Sequence, residues 1–316
     1  MRVAVCLMLV ACPLVIAAGC FGEGGVDAPP PSAGSGSSSS AGGAGGSGGM
    51  GVGGMGGAGG VGGASSSSSS SGSGGQGGAG GGASVVACPG KPGMVQVQAP
   101  AGGNFYCIDS TEVTSAAYVS WAETMPMLTQ PPQCEWNTSL LPQTVPPKSN
   151  LPMANVDWCD AYAYCAAHEK RLCGRIDGGP LPFSESAADE ALSQWHNVCT
   201  AGGTRTYPYG DTYDPVACNG QDKDAADDKP LAVGVTTCEG GFLGIFDLSG
   251  NVWEWEDSCD EAEDAGTPAE HNCRRRGGGY SSKQVDMDCS TASTIARASA
   301  NSQTGFRCCA DPSAMP

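Results

Sequence analysis

The chain predicts an α+β fold with little regular secondary structure, rich in disulfides and confined to residues 88–316. Three observations carry that prediction. From Cys88 onward glycine and proline recur at short intervals, which keeps helices and strands short. Three segments in this stretch nevertheless carry helix start signals. Of the chain's 17 cysteines, 14 lie in it, enough for a framework of up to seven bridges.

Thr114 can cap a helix running to about Glu123, with Ala117, Tyr118 and Trp121 on its apolar face. Asp157 can cap a second, with Trp158, Ala161, Tyr162 and Cys165 as its buried side. Ser186 followed by Asp189 reads as a capping box for a third helix burying Leu192 and Trp195. Short strands are expected at residues 244–248 and 305–309.

The first 87 residues are of another kind. Arg2 followed by the apolar stretch Val3–Ile16 predicts an export signal, too short to span a bilayer. It ends in Ile16-Ala17-Ala18-Gly19-Cys20, which resembles the bacterial lipobox and implies lipidation at Cys20. Residues 1–20 are therefore expected to be a lipoprotein signal peptide, with the protein held to a membrane by acyl chains. Residues 21–87 are almost entirely Gly, Ser and Ala and cannot bury enough apolar surface to offset chain entropy. They predict a disordered tether with an end-to-end distance of ~45 Å. The expected location is the bacterial envelope, at its periplasmic face or at the cell surface.

With 15 basic against 32 acidic residues, the formal net charge is −17, which argues against a nucleic-acid partner. It fits a solvated acidic surface or one that collects cations. No Cys-x-x-Cys occurs and the three histidines, His168, His196 and His271, are scattered, so zinc has no support.

The densest local signal is Asp247-Leu248-Ser249-Gly250-Asn251-Val252-Trp253-Glu254-Trp255. Carboxylates, an amide and backbone carbonyls on a rigid apolar segment are the donors a hard cation needs. The plainer alternative is that Glu254 caps a loop and both tryptophans are core. This string resembles the signature of the formylglycine-generating enzyme (sulfatase-modifying factor) family, whose fold is an elaborated relative of the C-type lectin fold. Other segments resemble the family in the same order: Glu112-Val113-Thr114, Asn155-Val156-Asp157-Trp158, Lys170-Arg171-Leu172, Tyr207-Pro208-Tyr209-Gly210-Asp211, Cys218-Asn219-Gly220, Arg276-Gly277-Gly278-Gly279-Tyr280 and Gly305-Phe306-Arg307-Cys308. The resemblance implies calcium held by the side chains of Asp247 and Glu254 and the carbonyls of Gly250 and Val252. It implies a second calcium at Asn219 and Gly220, completed by Asp222 or Asp224.

Enzymes of that family oxidise a sulfatase cysteine to formylglycine with Cu(I) held between two thiolates, soft ligands for a soft metal. Here the resemblance departs. Gly279 replaces the motif's serine, and the first cysteine position falls at about Ser282. Cys289 suits the second if two residues are inserted. A hydroxyl cannot replace a thiolate toward Cu(I), so the copper site looks broken. The plainer reading of Cys289 is a disulfide with Cys308 or Cys309, while Cys259 and Cys273 could bridge the acidic loop between them. The expected function is a non-catalytic, calcium-stabilised binding or scaffold module for a protein or glycan ligand. The alternative is a copper-dependent formylglycine-generating oxidase with Cys289 as surviving ligand.

Overall fold

The computed structural model describes residues 85–124, 130–142, 144–223, 228–262 and 266–311. The expected signal peptide, Cys20, residues 21–84 and Asp224 lie outside them.

Two four-stranded sheets organise the fold. β1 (Met94–Gln98), β2 (Phe105–Asp109), β3 (Arg171–Leu172) and β8 (Cys308–Ala310) form one sheet, in the order β1-β2-β8-β3 with every pair antiparallel. β4 (Trp253–Cys259), β5 (Asn272–Arg276), β6 (Ala292–Ala296) and β7 (Thr304–Gly305) form the other, in the order β6-β5-β4-β7. Its β4–β7 pair is parallel and the rest antiparallel. The expected C-terminal strand is thus split: β7 joins one sheet and β8 the other, with Phe306 and Arg307 between them.

Three helices pack on this frame. α1 (Ser115–Ala122) is capped by Thr114, whose Oγ1 accepts from the Ala117 N–H at 3.2 Å. Its buried face is Ser115, Tyr118, Val119 and Ala122; Ala117, expected on that face, is exposed. α2 (Trp158–Ala167) has a full capping box between Asp157 and Asp160. The ring of Tyr118 stacks on Tyr164 at 5.5 Å and meets Phe306 edge-on at 6.1 Å, tying both helices to the β7–β8 junction.

Two expected elements differ. The third helix, α3 (Gln194–Cys199), starts at a Ser193 cap rather than at Ser186. The Ser186 Oγ accepts from the Ala188 N–H at 3.2 Å and Asp189 Oδ1 from the Ala191 N–H at 2.8 Å, so both side chains close local turns instead of a capping box. Trp195 is buried as expected, but Leu192 precedes the helix and is half-buried. Residues 244–248 form no strand, only an isolated bridge between Glu239 and Phe246. Gly244 (φ +81°) and Asp247 (φ 58°) are both left-handed there, which breaks the strand pleat.

Seven disulfides staple these elements: Cys88–Cys107, Cys134–Cys159, Cys165–Cys308, Cys173–Cys309, Cys199–Cys289, Cys218–Cys238 and Cys259–Cys273. Adjacent Cys308 and Cys309 take separate partners on α2 and just after β3. Cys259–Cys273 is the expected bridge. Cys289 pairs with neither Cys308 nor Cys309 but with Cys199 at the end of α3.

Candidate ligand-binding site

The signature segment enters β4 through a turn in which Asp247, Gly250 and Asn251 all have left-handed backbone, at φ 58°, 75° and 61°. Only glycine suits the middle position, since a Cβ on Gly250 would lie 2.3 Å from the Asn219 carbonyl oxygen. Asn251 locks the turn to its neighbours. Its N–H donates to the Asn219 carbonyl at 2.7 Å, and its Oδ1 accepts from Asn219 Nδ2 at 3.1 Å and from the Leu231 N–H at 2.9 Å. Its Nδ2 donates to Glu112 Oε2 at 3.2 Å. The structure therefore brings the two expected calcium segments, 219–220 and 247–254, side by side. Asp222 is exposed, and its Oδ2 accepts from the Tyr213 hydroxyl at 2.9 Å.

Behind the turn lies a buried charge cluster. Arg307 donates to both oxygens of Glu254, at 2.6 and 2.7 Å, and to the Phe246 and Asp109 carbonyls. Glu254 Oε2 also accepts from Trp195 Nε1 at 2.9 Å. Asp247 accepts from the Gly234 N–H at 2.6 Å and the Thr236 hydroxyl at 2.9 Å. Glu112 completes the cluster and is 1% exposed, with Oε1 left without a hydrogen-bond partner. Burial, then the charges of Asp247 and Glu254, push the Glu112 carboxyl well above its ordinary range. Burial raises Asp247 as well. Glu112 and Arg307 stand in the family-like segments Glu112-Val113-Thr114 and Gly305-Phe306-Arg307-Cys308, yet local spacing does not show that they converge on Glu254 from 142 and 53 residues away.

Arg307 and Trp195 take up both oxygens of Glu254, and the Gly234 N–H and Thr236 hydroxyl take up both oxygens of Asp247, so of these three carboxylates only Glu112 keeps an unpartnered oxygen. Among the described residues, no three His, Cys, Asp or Glu side chains converge as a ready-made metal group. The expected calcium set instead combines two carboxylates with two backbone carbonyls.

The copper chemistry does not fit. All 14 cysteines from Cys88 to Cys309 are in disulfides, and Cys289 is 0% exposed in the core with Cys199. Ser282 and Met287 both close around Gly278: a Cβ there would stand 3.1 Å from Ser282 Cβ and 3.2 Å from Met287 Sδ. The Ser282 Oγ accepts from the Gly279 N–H at 2.9 Å. Cys289, bonded to Cys199, has no free thiol to pair with a ligand at Ser282.

Ser282 borders an open cleft of about 570 Å³. Trp253 and Arg275 form one wall, with the guanidinium 4.7 Å above the indole. Ser281, Gln303, Lys283 and Asp286 line the remainder. The Ser281 hydroxyl donates to Gln303 Oε1, which fixes that side.

Fold and site together define a disulfide-stapled α+β domain of the elaborated C-type-lectin type, with a polar cleft bordered by Ser282. The family model for the sulfatase-modifying factor enzyme 1-like domain matches residues 96–312, and the chain belongs to that family. It is similar to the inactive C-alpha-formylglycine-generating enzyme 2 of Bos taurus, with 31% identity over 133 residues, 37% of this chain and 36% of that protein. It is also similar to the formylglycine-generating enzyme of Mus musculus, with 28% identity over 189 residues, 52% of this chain and 45% of that protein. The matches thus span less than half the length of these relatives. Among solved structures, PvdO from Pseudomonas aeruginosa aligns with a TM-score of 0.45 and 16% identity, covering 69% of this chain and 91% of that one.

Proposed function

We propose that this protein is a non-catalytic binding module of the sulfatase-modifying factor family, exported, lipid-anchored through Cys20 and stabilised by calcium. The observation that carries the non-catalytic reading is the fate of the thiols: Ser282 stands at the cleft where a thiol is expected, and Cys289 is bonded to Cys199. An inactive enzyme among the similar proteins supports the same reading. Calcium held by Asp247 and Glu254 with the Gly250 and Val252 carbonyls would offset the excess negative charge of the buried cluster. Seven disulfides are consistent with export. Among the described residues no helix is long and apolar enough to cross a membrane, and the proposed anchor is the lipid at Cys20.

The test is incubation of the natively exported protein with Cu(I), oxygen and a cysteine-containing sulfatase peptide, read by mass spectrometry. The peptide thiol is expected to persist. Conversion to the aldehyde would overturn the reading and restore the oxidase alternative.

A further inference from the structure

β5 carries three consecutive arginines whose environments differ. Arg274 donates to the Phe183 and Glu185 carbonyls, each at 2.7 Å, and to the Ser258 hydroxyl at 2.9 Å. Arg276, 0% exposed, donates to the Ala187, Cys289 and Thr291 carbonyls and sits 3.5 Å from Glu256. Both are structural cations whose donors are taken up by backbone oxygens. Strand alternation turns Arg275 to the opposite face. There, among the described residues, it meets two hydroxyls, Thr304 Oγ1 at 2.8 Å and Ser293 Oγ at 3.3 Å, and the face of Trp253. No carboxylate stands within ion-pair distance of it among the described residues. Burial accordingly lowers the affinity of Arg275 for its proton, and the more distant Asp286 offsets this in part.

A half-buried guanidinium with no carboxylate at ion-pair distance among the described residues, at the wall of a cleft, is an arrangement that can receive an anion. An arginine fork recognises planar oxyanions through paired, charge-assisted hydrogen bonds. Lys283 at the exposed rim adds a second cation and Asp286 one carboxylate, so the charged groups lining the cleft leave one positive charge. This occurs in a chain of net charge −17. One residual charge matches a monoanion better than a doubly charged phosphate or sulfate. The Ser282 and Ser293 hydroxyls can donate alongside Arg275, and the indole of Trp253 offers an apolar face to the rest of the ligand. The volume suits a small molecule or a few residues of peptide.

We propose that this cleft binds a ligand through a single carboxylate group, received by Arg275 and steered by Lys283. This rests on the binding-module reading and names the chemistry of its ligand. The carboxylate can come from a free acid or from a peptide's C-terminus or acidic side chain.

The experiment is saturation-transfer NMR on the full chain with three probes. These are an N-acetylated dipeptide with a free C-terminal carboxylate, the same dipeptide amidated, and benzoate; inorganic phosphate is added as competitor. Transfer to the free-acid dipeptide and to benzoate, absent for the amide and not displaced by equimolar phosphate, is the expected result. Transfer to the dipeptide alone would mark the source as a peptide terminus, and to benzoate alone as a small acid. Arg275→Gln should weaken binding at least roughly tenfold, as loss of a charge-assisted pair requires. Lys283→Gln, at an exposed position that does not threaten folding, should weaken it several-fold and flatten its salt dependence. Equal transfer from the amide, displacement by phosphate, no transfer from any probe, or indifference to Lys283→Gln would overturn the carboxylate assignment. Any of these, with the sulfatase peptide still unoxidised, leaves the non-catalytic reading standing, so the two fail separately.

Discussion

Removing the Cys199–Cys289 bridge is the perturbation that weighs most directly on how this chain uses its cysteines. The bridge closes 90 residues, within which Cys218–Cys238 and Cys259–Cys273 short-circuit 20 and 14. The effective loop in the unfolded chain is therefore about 56 residues, for which loop-closure entropy corresponds to ~4 kcal/mol. For a domain of this size that is a fall in Tm of about 8–16 °C. Removing Cys259–Cys273 frees a loop of 14 residues and should cost ~3 kcal/mol, about 1 kcal/mol less. The assay is urea and thermal unfolding of the Cys199→Ala/Cys289→Ala double variant beside the Cys259→Ala/Cys273→Ala control. Native alkylation and peptide mapping run in parallel. A loss below ~1 kcal/mol in the first variant, with Cys289 alkylated in the native wild type, would refute the bridge and return Cys289 to the pool of reactive thiols.

Three further outcomes are expected. Arg307→Met leaves Glu254, Glu112 and Asp247 buried without their cation and should destabilise by ~3–5 kcal/mol in urea unfolding; a loss under ~1 kcal/mol would show that the cluster is solvated. The folded-state carboxyl of Glu112 is raised above its ordinary 4.5, so its contribution is full below that pH and is lost as pH rises through the raised value; Glu112→Gln should therefore flatten stability against pH above about 4.5, and an unchanged slope would exclude Glu112 as the source. Stripping calcium with excess chelator at neutral pH should lower Tm, since calcium at a hundred times its Kd stabilises by ~2.7 kcal/mol; an unchanged Tm would remove calcium from the proposal.

Features set by neighbours in sequence were the legible ones. The caps at Thr114 and Asp157 involve residues three positions apart, and both helices start where those side chains predict. The same logic misplaced α3, because Ser186 and Asp189 have equally good turns to close two residues downstream, and the helix instead takes Ser193 as its cap, with Trp195 buried in its first turn. Distance in sequence hid the rest. Cys289 meets a partner 90 residues away on a helix whose start was itself misjudged. Glu112, Glu254 and Arg307 are each visible as motif letters, but their convergence is tertiary. Arg275 is invisible among three arginines until strand alternation separates it from the two whose donors backbone oxygens take up.

The frame and the chemistry of this domain are separable because they depend on different residues. Glu254 and Arg307 join β4 to the β7–β8 junction, and Cys165–Cys308 and Cys173–Cys309 tie that junction to α2 and to the segment after β3. None of these contacts involves the cleft wall. Ser282 can therefore stand at the cleft without disturbing the turn at Gly277 and Gly278, whose left-handed backbone (φ 88° and 77°) needs glycine whatever the cleft does. Meanwhile Cys289, two residues past Met287, is drawn into the core by Cys199 and presents its carbonyl to Arg276 at 2.8 Å. A thiolate there would have to leave that core, vacating a buried site and breaking a contact of a fully buried arginine. Copper chemistry at this cleft would thus need thiols that the seven disulfides do not leave free, whereas the binding-module proposal uses what the cleft does present, Arg275 and its polar lining.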